Sequence, residues 1–157
     1  MKIGVLSDCH EDIATIEGLF KEENDFDHVF FLGDGIAVLR QVLLAYDIDY
    51  TAVKGNNDRG EDEAFDRVVE LCGHRFLLTH GHRYHVGKNK CSLLAKAKET
   101  NCCVALFGHT HVPFYEKIDG ITLFNPGSTF YGRQGYKKSY GILLLEKDSL
   151  EFVLRTL

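Results

Sequence analysis

Seven side chains of metal-binding type stand directly after apolar runs. Asp8 and His10 lie in "SDCH", Asp34 in "FLGD" and Asn56 in "KGNND". His80 lies in "LLTHGH", and His109 and His111 in "LFGHTH". Carboxylate and amide oxygens are hard ligands, and imidazole nitrogens are softer. The mixture suits Mn²⁺, Fe²⁺, Co²⁺, Ni²⁺ or Zn²⁺ rather than Ca²⁺ or Cu⁺. Seven ligands exceed what one tetrahedral ion needs. They suit two ions about 3.5–4 Å apart with one carboxylate shared. Singly, each piece has a plain alternative. Asp-x-His is a common triplet, and Asp34 could simply cap a following helix. The two His-x-His clusters are sharper, because buried imidazoles need partners for their ring nitrogens and a cation supplies them. His28, His74 and His85 lack such a setting and read as surface or loop residues.

These residues need a scaffold that brings strand ends together. "KIGVLSD" (2–8) reads as a buried strand, followed by Ile13, Ile16, Leu19 and Phe20 at helical spacing to about residue 23. "HVFFLGD" (28–34) is a second continuous apolar strand, residues 36–45 a second helical segment, and "YTAVKG" (50–55) a third strand. Strand–helix alternation with continuously apolar strands predicts parallel β-α-β units. "RVVELCGHRFLLTHG" predicts two strands folded about Gly73, then a Lys-rich helix over 88–100 and a buried strand, "CCVALFG" (102–108). Hairpins are predicted at Asp119–Gly120 and near Lys147–Ser149. Parallel units therefore come first and antiparallel strands last. The expected fold is a single α/β domain over 1–157, with two packed mixed β-sheets flanked by helices in an α/β/β/α sandwich. In such sheets ligands bind beyond the carboxyl ends of the strands, where all seven residues fall.

Composition removes several function classes. The 157 residues carry a formal charge of −5 and no basic patch, which argues against a nucleic-acid duplex as partner. No apolar run reaches membrane-spanning length, and the first ten residues are too short for a signal peptide's apolar core and cleavage site. Five cysteines without a C-x-x-C pair argue against a disulfide framework or a structural zinc site. A reduced, cytoplasmic protein is expected, and a homo-oligomer is compatible with it. Cys9, between two ligands, is expected to point away from them as filler.

In order, D-x-H, G-D, G-N-x-D, H-G-H and G-H-T-H resemble the motif series of the calcineurin-like metallophosphoesterase superfamily, and its small prokaryotic phosphodiesterase branch in particular. The resemblance runs from residue 5 to about residue 133. It implies that Asp8, His10 and His111 hold one metal, that Asn56, His80 and His109 hold a second, and that Asp34 bridges them. Two divalent ions are implied, manganese favoured, with a water or hydroxide between them attacking phosphorus in line. "NPGSTFYGR" (125–133) is similar to the family's downstream loop. It makes Asn125, Ser128 and above all Arg133 substrate-side candidates, since a guanidinium fork matches phosphate oxygens. One departure stands out. Many relatives carry His where this chain has Asn57, and that His is thought to protonate the leaving oxygen with the help of the carboxylate at Asp58. An amide cannot act as a general acid. His82 is a substitute candidate. The implied activity is hydrolysis of small phosphodiesters, weak on phosphomonoesters. A scaffold of the same fold and a nuclease are the competing readings.

Overall fold

Strands that are apolar at every position need cover on both faces. The computed structural model, which describes residues 1–157, supplies that cover. Strands β1 (Lys2–Leu6), β2 (His28–Phe31) and β3 (Tyr50–Ala52) pair in parallel. Helices α1 (Ile13–Glu22) and α2 (Ile36–Leu43) form their crossovers. A second sheet contains β4 (Asp66–Leu71), β5 (His74–Thr79), β6 (Val104–Leu106), β7 (Phe114–Ile118) and β8 (Ile121–Asn125), with helix α3 (Cys91–Glu99) between β5 and β6. Strands β9 (Ser139–Leu145) and β10 (Leu150–Thr156) return to the first sheet, where β9 pairs antiparallel with β1. The sheet orders are β10-β9-β1-β2-β3 and β4-β5-β6-β8-β7.

Alternation along each strand divides the core into three layers. Phe30 and Leu32 point between the sheets with Ile3, Val5, Phe76 and Leu106. Val29 and Phe31 point the other way, against Leu19, Phe20 and Leu39 of α1 and α2. On the far side Leu77, Ala105 and Leu123 meet Leu93 and Ala97 of α3. This is the expected α/β/β/α sandwich.

The structure corrects the sequence expectation in two respects and adds the placement of one hairpin, on which that expectation was silent. Parallel pairing is not confined to the first units, since β5, β6 and β8 are also mutually parallel. The Asp119–Gly120 hairpin forms, with φ of 51° and 82° at its turn, but β8 takes the inner place and β7 the edge. The burial patterns agree: β8 is buried throughout, whereas β7 has no fully buried residue. The apolar strands also stop short. β1 ends at Leu6 and β2 at Phe31, because Asp8, Gly33 and Asp34 adopt positive φ and cannot continue a ladder.

The inter-sheet layer makes a direct stability prediction. Phe30 is fully buried and its ring centre lies 5.8 Å from that of Phe76. Phe30→Ala removes a ring from a close-packed layer and costs about 3–5 kcal/mol. For a chain of this size that lowers Tm by roughly 6–20 °C in calorimetry. A fall below about 2 °C would mean the sheets do not depend on this contact.

Candidate metal centre

The loops after β1, β2 and β6 carry an uncommon backbone. Asp8, His10, Asp34, His109 and His111 have φ of 54°, 47°, 61°, 69° and 58°. Left-handed conformations of non-glycine residues cost about 1–2 kcal/mol each, so neighbouring interactions must hold them. Asp8 N–H donates to the Gly33 carbonyl and His10 N–H to the Asp34 carbonyl, both at 2.9 Å. The Asp58 carboxylate accepts from the N–H groups of Asp34, Gly35, Ile36 and Gly55 at 2.6–3.0 Å. It thereby caps α2 and joins the loop after β2 to the loop after β3. Gly55 is required there, because a Cβ would strike the Asp34 carboxylate.

The carboxylates divide their oxygens between protein and groove. Asp8 Oδ2 accepts from Ser7 Oγ at 2.6 Å and from His109 N–H at 3.0 Å. Its Oδ1 is buried with no hydrogen-bond partner, 3.1 Å from His111 Nε2 and 3.9 Å from His80 Nε2. Asp34 Oδ1 accepts from Asn57 N–H at 2.8 Å, and Oδ2 from Asn57 Nδ2 at 2.5 Å. His80 Nδ1–H donates to the Leu32 carbonyl at 2.7 Å and His111 Nδ1–H to the Tyr131 carbonyl at 3.1 Å. Those bonds turn both Nε2 atoms toward the carboxylates, the orientation that carbonyl partners impose on metal-ligating histidines. His10 Nε2 lies 3.4 Å from His111 Nε2.

Two ligand clusters result, Asp8–His10–His111 and Asp8–Asp34–His80, each with ligand atoms within 4.8 Å of one another. Asp8 is the member common to both. Asn56 and His109 line the same groove outside these clusters. The donor set fits divalent cations on direct grounds: His80 Nε2 and Asp8 Oδ1 are both buried, unpartnered and aimed at one space. Burial opposes the charged forms of His80 and Asp34. For His80 the nearby carboxylates, Asp34 at 3.4 Å from Nε2 and Asp8 at 3.9 Å, outweigh burial and raise its pKa above the ordinary histidine value. For Asp34, His80 and both Asn57 donors outweigh burial and hold the carboxyl well below its ordinary range. In His109 and His82 burial dominates, aided by the charge of His80, and lowers the pKa.

The other expected residues separate by position. Arg133 is exposed at the rim of the groove, its Nη2 donating to Tyr131 Oη at 3.1 Å. Asn57 also lines the groove, but its amide is engaged with Asp34. Asp58 is spent on backbone N–H groups. His82 begins a single 3-10 turn over His82–Tyr84, its ring centre 5.4 Å from that of His80 and 5.7 Å from that of Phe65. Asn125 and Ser128, expected on the substrate side, are instead fully buried. Asn125 Nδ2 donates to the Gly108 carbonyl, and Ser128 Oγ donates to the Asp8 carbonyl while accepting from Phe130 and Tyr131 N–H. They brace the ligand loops and leave no polar atom for substrate. Cys9 points away as expected, its Sγ donating to the Gly35 carbonyl at 3.3 Å, and burial pushes its thiol pKa up. Ser7 and the carbonyls of Leu32 and Tyr131 were not legible beforehand, since a serine before Asp is commonplace and a carbonyl has no residue signature.

A family model described as the calcineurin-like phosphoesterase superfamily domain matches residues 1–148. The chain belongs to that superfamily. As a calcineurin-like phosphoesterase it is a metal-dependent hydrolase of phosphoric esters. It is 30% identical over 152 residues to a probable metallophosphoesterase, YsnB, of Bacillus subtilis, covering 95% of this chain and 87% of that one. It is 29% identical over 147 residues to the phosphodiesterase MJ0936 of Methanocaldococcus jannaschii, covering 81% and 83%. Among solved structures, a conserved uncharacterized protein and predicted phosphoesterase from Streptococcus pneumoniae TIGR4 superposes with a TM-score of 0.81 at 27% identity, covering 99% of this chain and 88% of that one.

Two predictions arise from this centre. His80, with a raised pKa, stabilises the metal-free fold fully below its unfolded value of about 6.5, and that contribution is lost as pH rises through the folded value. A cation can then take the proton's place. The Tm gain on adding Mn²⁺ therefore grows as pH rises from about 6 to 8, and a gain independent of pH would contradict it. Asp58→Ala strips four charge-assisted hydrogen bonds and a helix cap, at a cost of about 2–4 kcal/mol. Thermal melts should fall by roughly 5–15 °C and Mn²⁺ affinity should drop with them. An unchanged affinity in a folded variant would show that Asp58 does not position the ligands.

Proposed function

We propose that the chain hydrolyses small phosphodiesters, with two divalent first-row cations, manganese favoured, held by Asp8, His10, Asp34, Asn56, His80, His109 and His111. Bound there, such ions neutralise charge on the phosphoryl oxygens and supply a water nucleophile at neutral pH. The buried, unpartnered Asp8 Oδ1 and His80 Nε2 support the ligand assignment. Asp34 is assigned the bridging place, and the presence of Asp8 in both candidate groups supports its place among the ligands. Arg133 at the groove rim serves to orient a phosphoryl group. The similarity to a protein named a phosphodiesterase supports the substrate class.

The observation that carries the preference for diesters is Asn57. It stands beside Asp34 in the groove, and its amide donates to that carboxylate at 2.5 Å. It can hold a ligand in place, but it has no proton to give a leaving alkoxide. Diesters with acidic alcohols leave without that help, whereas alkyl phosphomonoesters suffer from its absence. His82 stands behind the centre, its ring against those of His80 and His109, and burial lowers its pKa, which makes it a poor proton reserve near neutral pH. Asn57→His restores a titratable group and raises turnover of an alkyl phosphomonoester by tenfold or more, within the roughly 10²–10⁴ range of general-acid help. Steady-state kinetics on one monoester and one diester check this. A wild type that already prefers the monoester, with no gain in the variant, removes the proposal.

A further inference from the structure

The groove over the metal ligands opens on one side into a larger cleft. Its volume is about 460 Å³, and His109 and Arg133 line both spaces. The floor of the cleft is apolar: Val86 and Phe107 are fully buried, and Phe114 is partly so. Lys90 forms one wall. Its Nζ donates to the Val86 carbonyl at 2.8 Å and lies 4.8 Å from the centre of the Phe114 ring. That contact uses one of three ammonium donors, leaving two for an occupant. The phosphoryl chemistry described above uses neither Lys90 nor this floor.

The lining selects among ester arms. A glycerol arm could bond the polar wall that Thr110, Gln134 and Lys90 provide, but it would leave the apolar floor uncovered. An alkyl arm would leave the Lys90 donors unanswered. A flat ring with carbonyl acceptors satisfies both surfaces, and the volume falls in the usual range for pockets that hold such ligands. We propose that this cleft is a subsite for a nucleoside arm of the diester, with the base on the Phe114 side of the floor and its acceptors toward Lys90. The proposal rests on the phosphodiesterase reading above.

The test uses the full chain loaded with Mn²⁺ and two substrates that share one leaving group. Thymidine 5′-(4-nitrophenyl) phosphate and methyl 4-nitrophenyl phosphate differ only in the second arm. The expected kcat/KM is about tenfold or more higher for the thymidine ester, chiefly through KM. Lys90→Ala and Gly87→Phe should erase most of that difference and leave the methyl ester within about twofold. Gly87 is suited to the purpose because it lines the cleft, and a Cβ there meets nothing within 4 Å. Calorimetry with thymidine 5′-methylphosphonate, whose only ester has a poor alkoxide leaving group, should show binding that Gly87→Phe weakens by a similar factor. Equal kcat/KM for the two esters, or a Gly87→Phe variant indifferent to the thymidine arm, overturns the subsite and leaves the phosphodiesterase reading standing. Hydrolysis of neither ester overturns that reading, and the subsite with it.

Discussion

Two buried carboxylates, Asp8 and Asp34, face one small space at the ends of neighbouring parallel strands. Buried negative charge is strongly unfavourable unless it is paired or hydrogen-bonded. The local structure answers that demand donor by donor. Ser7 and the His109 amide take one oxygen of Asp8, and Asn57 takes both oxygens of Asp34. What remains unanswered is Asp8 Oδ1, with the imidazole nitrogens of His80 and His111 turned toward it. The residual demand is one that a cation would answer.

Meeting it requires loops that turn sharply as soon as each strand ends. Five of the candidate ligands sit at positive φ. These conformations persist because other groups fasten them: Asp58 from one side, Asn125 and Ser128 from the other. The sandwich supplies the rigid ground for that strain. Parallel strands in both sheets deliver their carboxyl ends to the same edge, and the inter-sheet layer of Phe30, Phe76 and Leu106 keeps the two edges in register.

Much of this was legible in the sequence. Continuous apolar runs announced strands covered on both faces, and the polar residues just beyond them marked the ligand edge. The His-x-His pairs were informative because buried imidazoles require partners. The supporting contacts were not legible. Asp58 resembled a partner for a missing acid, yet its oxygens close four main-chain N–H groups. Asn125 and Ser128 belong to a turn-rich stretch whose composition suits a surface loop, and only the fold reveals that it is pressed beneath the ligand loops. The inner place of β8 also escaped prediction, since a hairpin signal fixes which strands pair but not which of them lies at the edge.

The orientation of two candidate ligand histidines depends on main-chain carbonyls, Leu32 for His80 and Tyr131 for His111. A side-chain acceptor can be lost by a single substitution, but a carbonyl is present whatever residue stands there. Imidazole orientation is thus insulated from point changes at 32 and 131 so long as the backbone path survives. Its weakness lies in loop length. An insertion or deletion between 125 and 133 would shift the Tyr131 carbonyl out of reach and release the His111 ring. Position 131 can therefore change its side chain at little cost to the His111 ring, while the number of residues in the loop stays constrained.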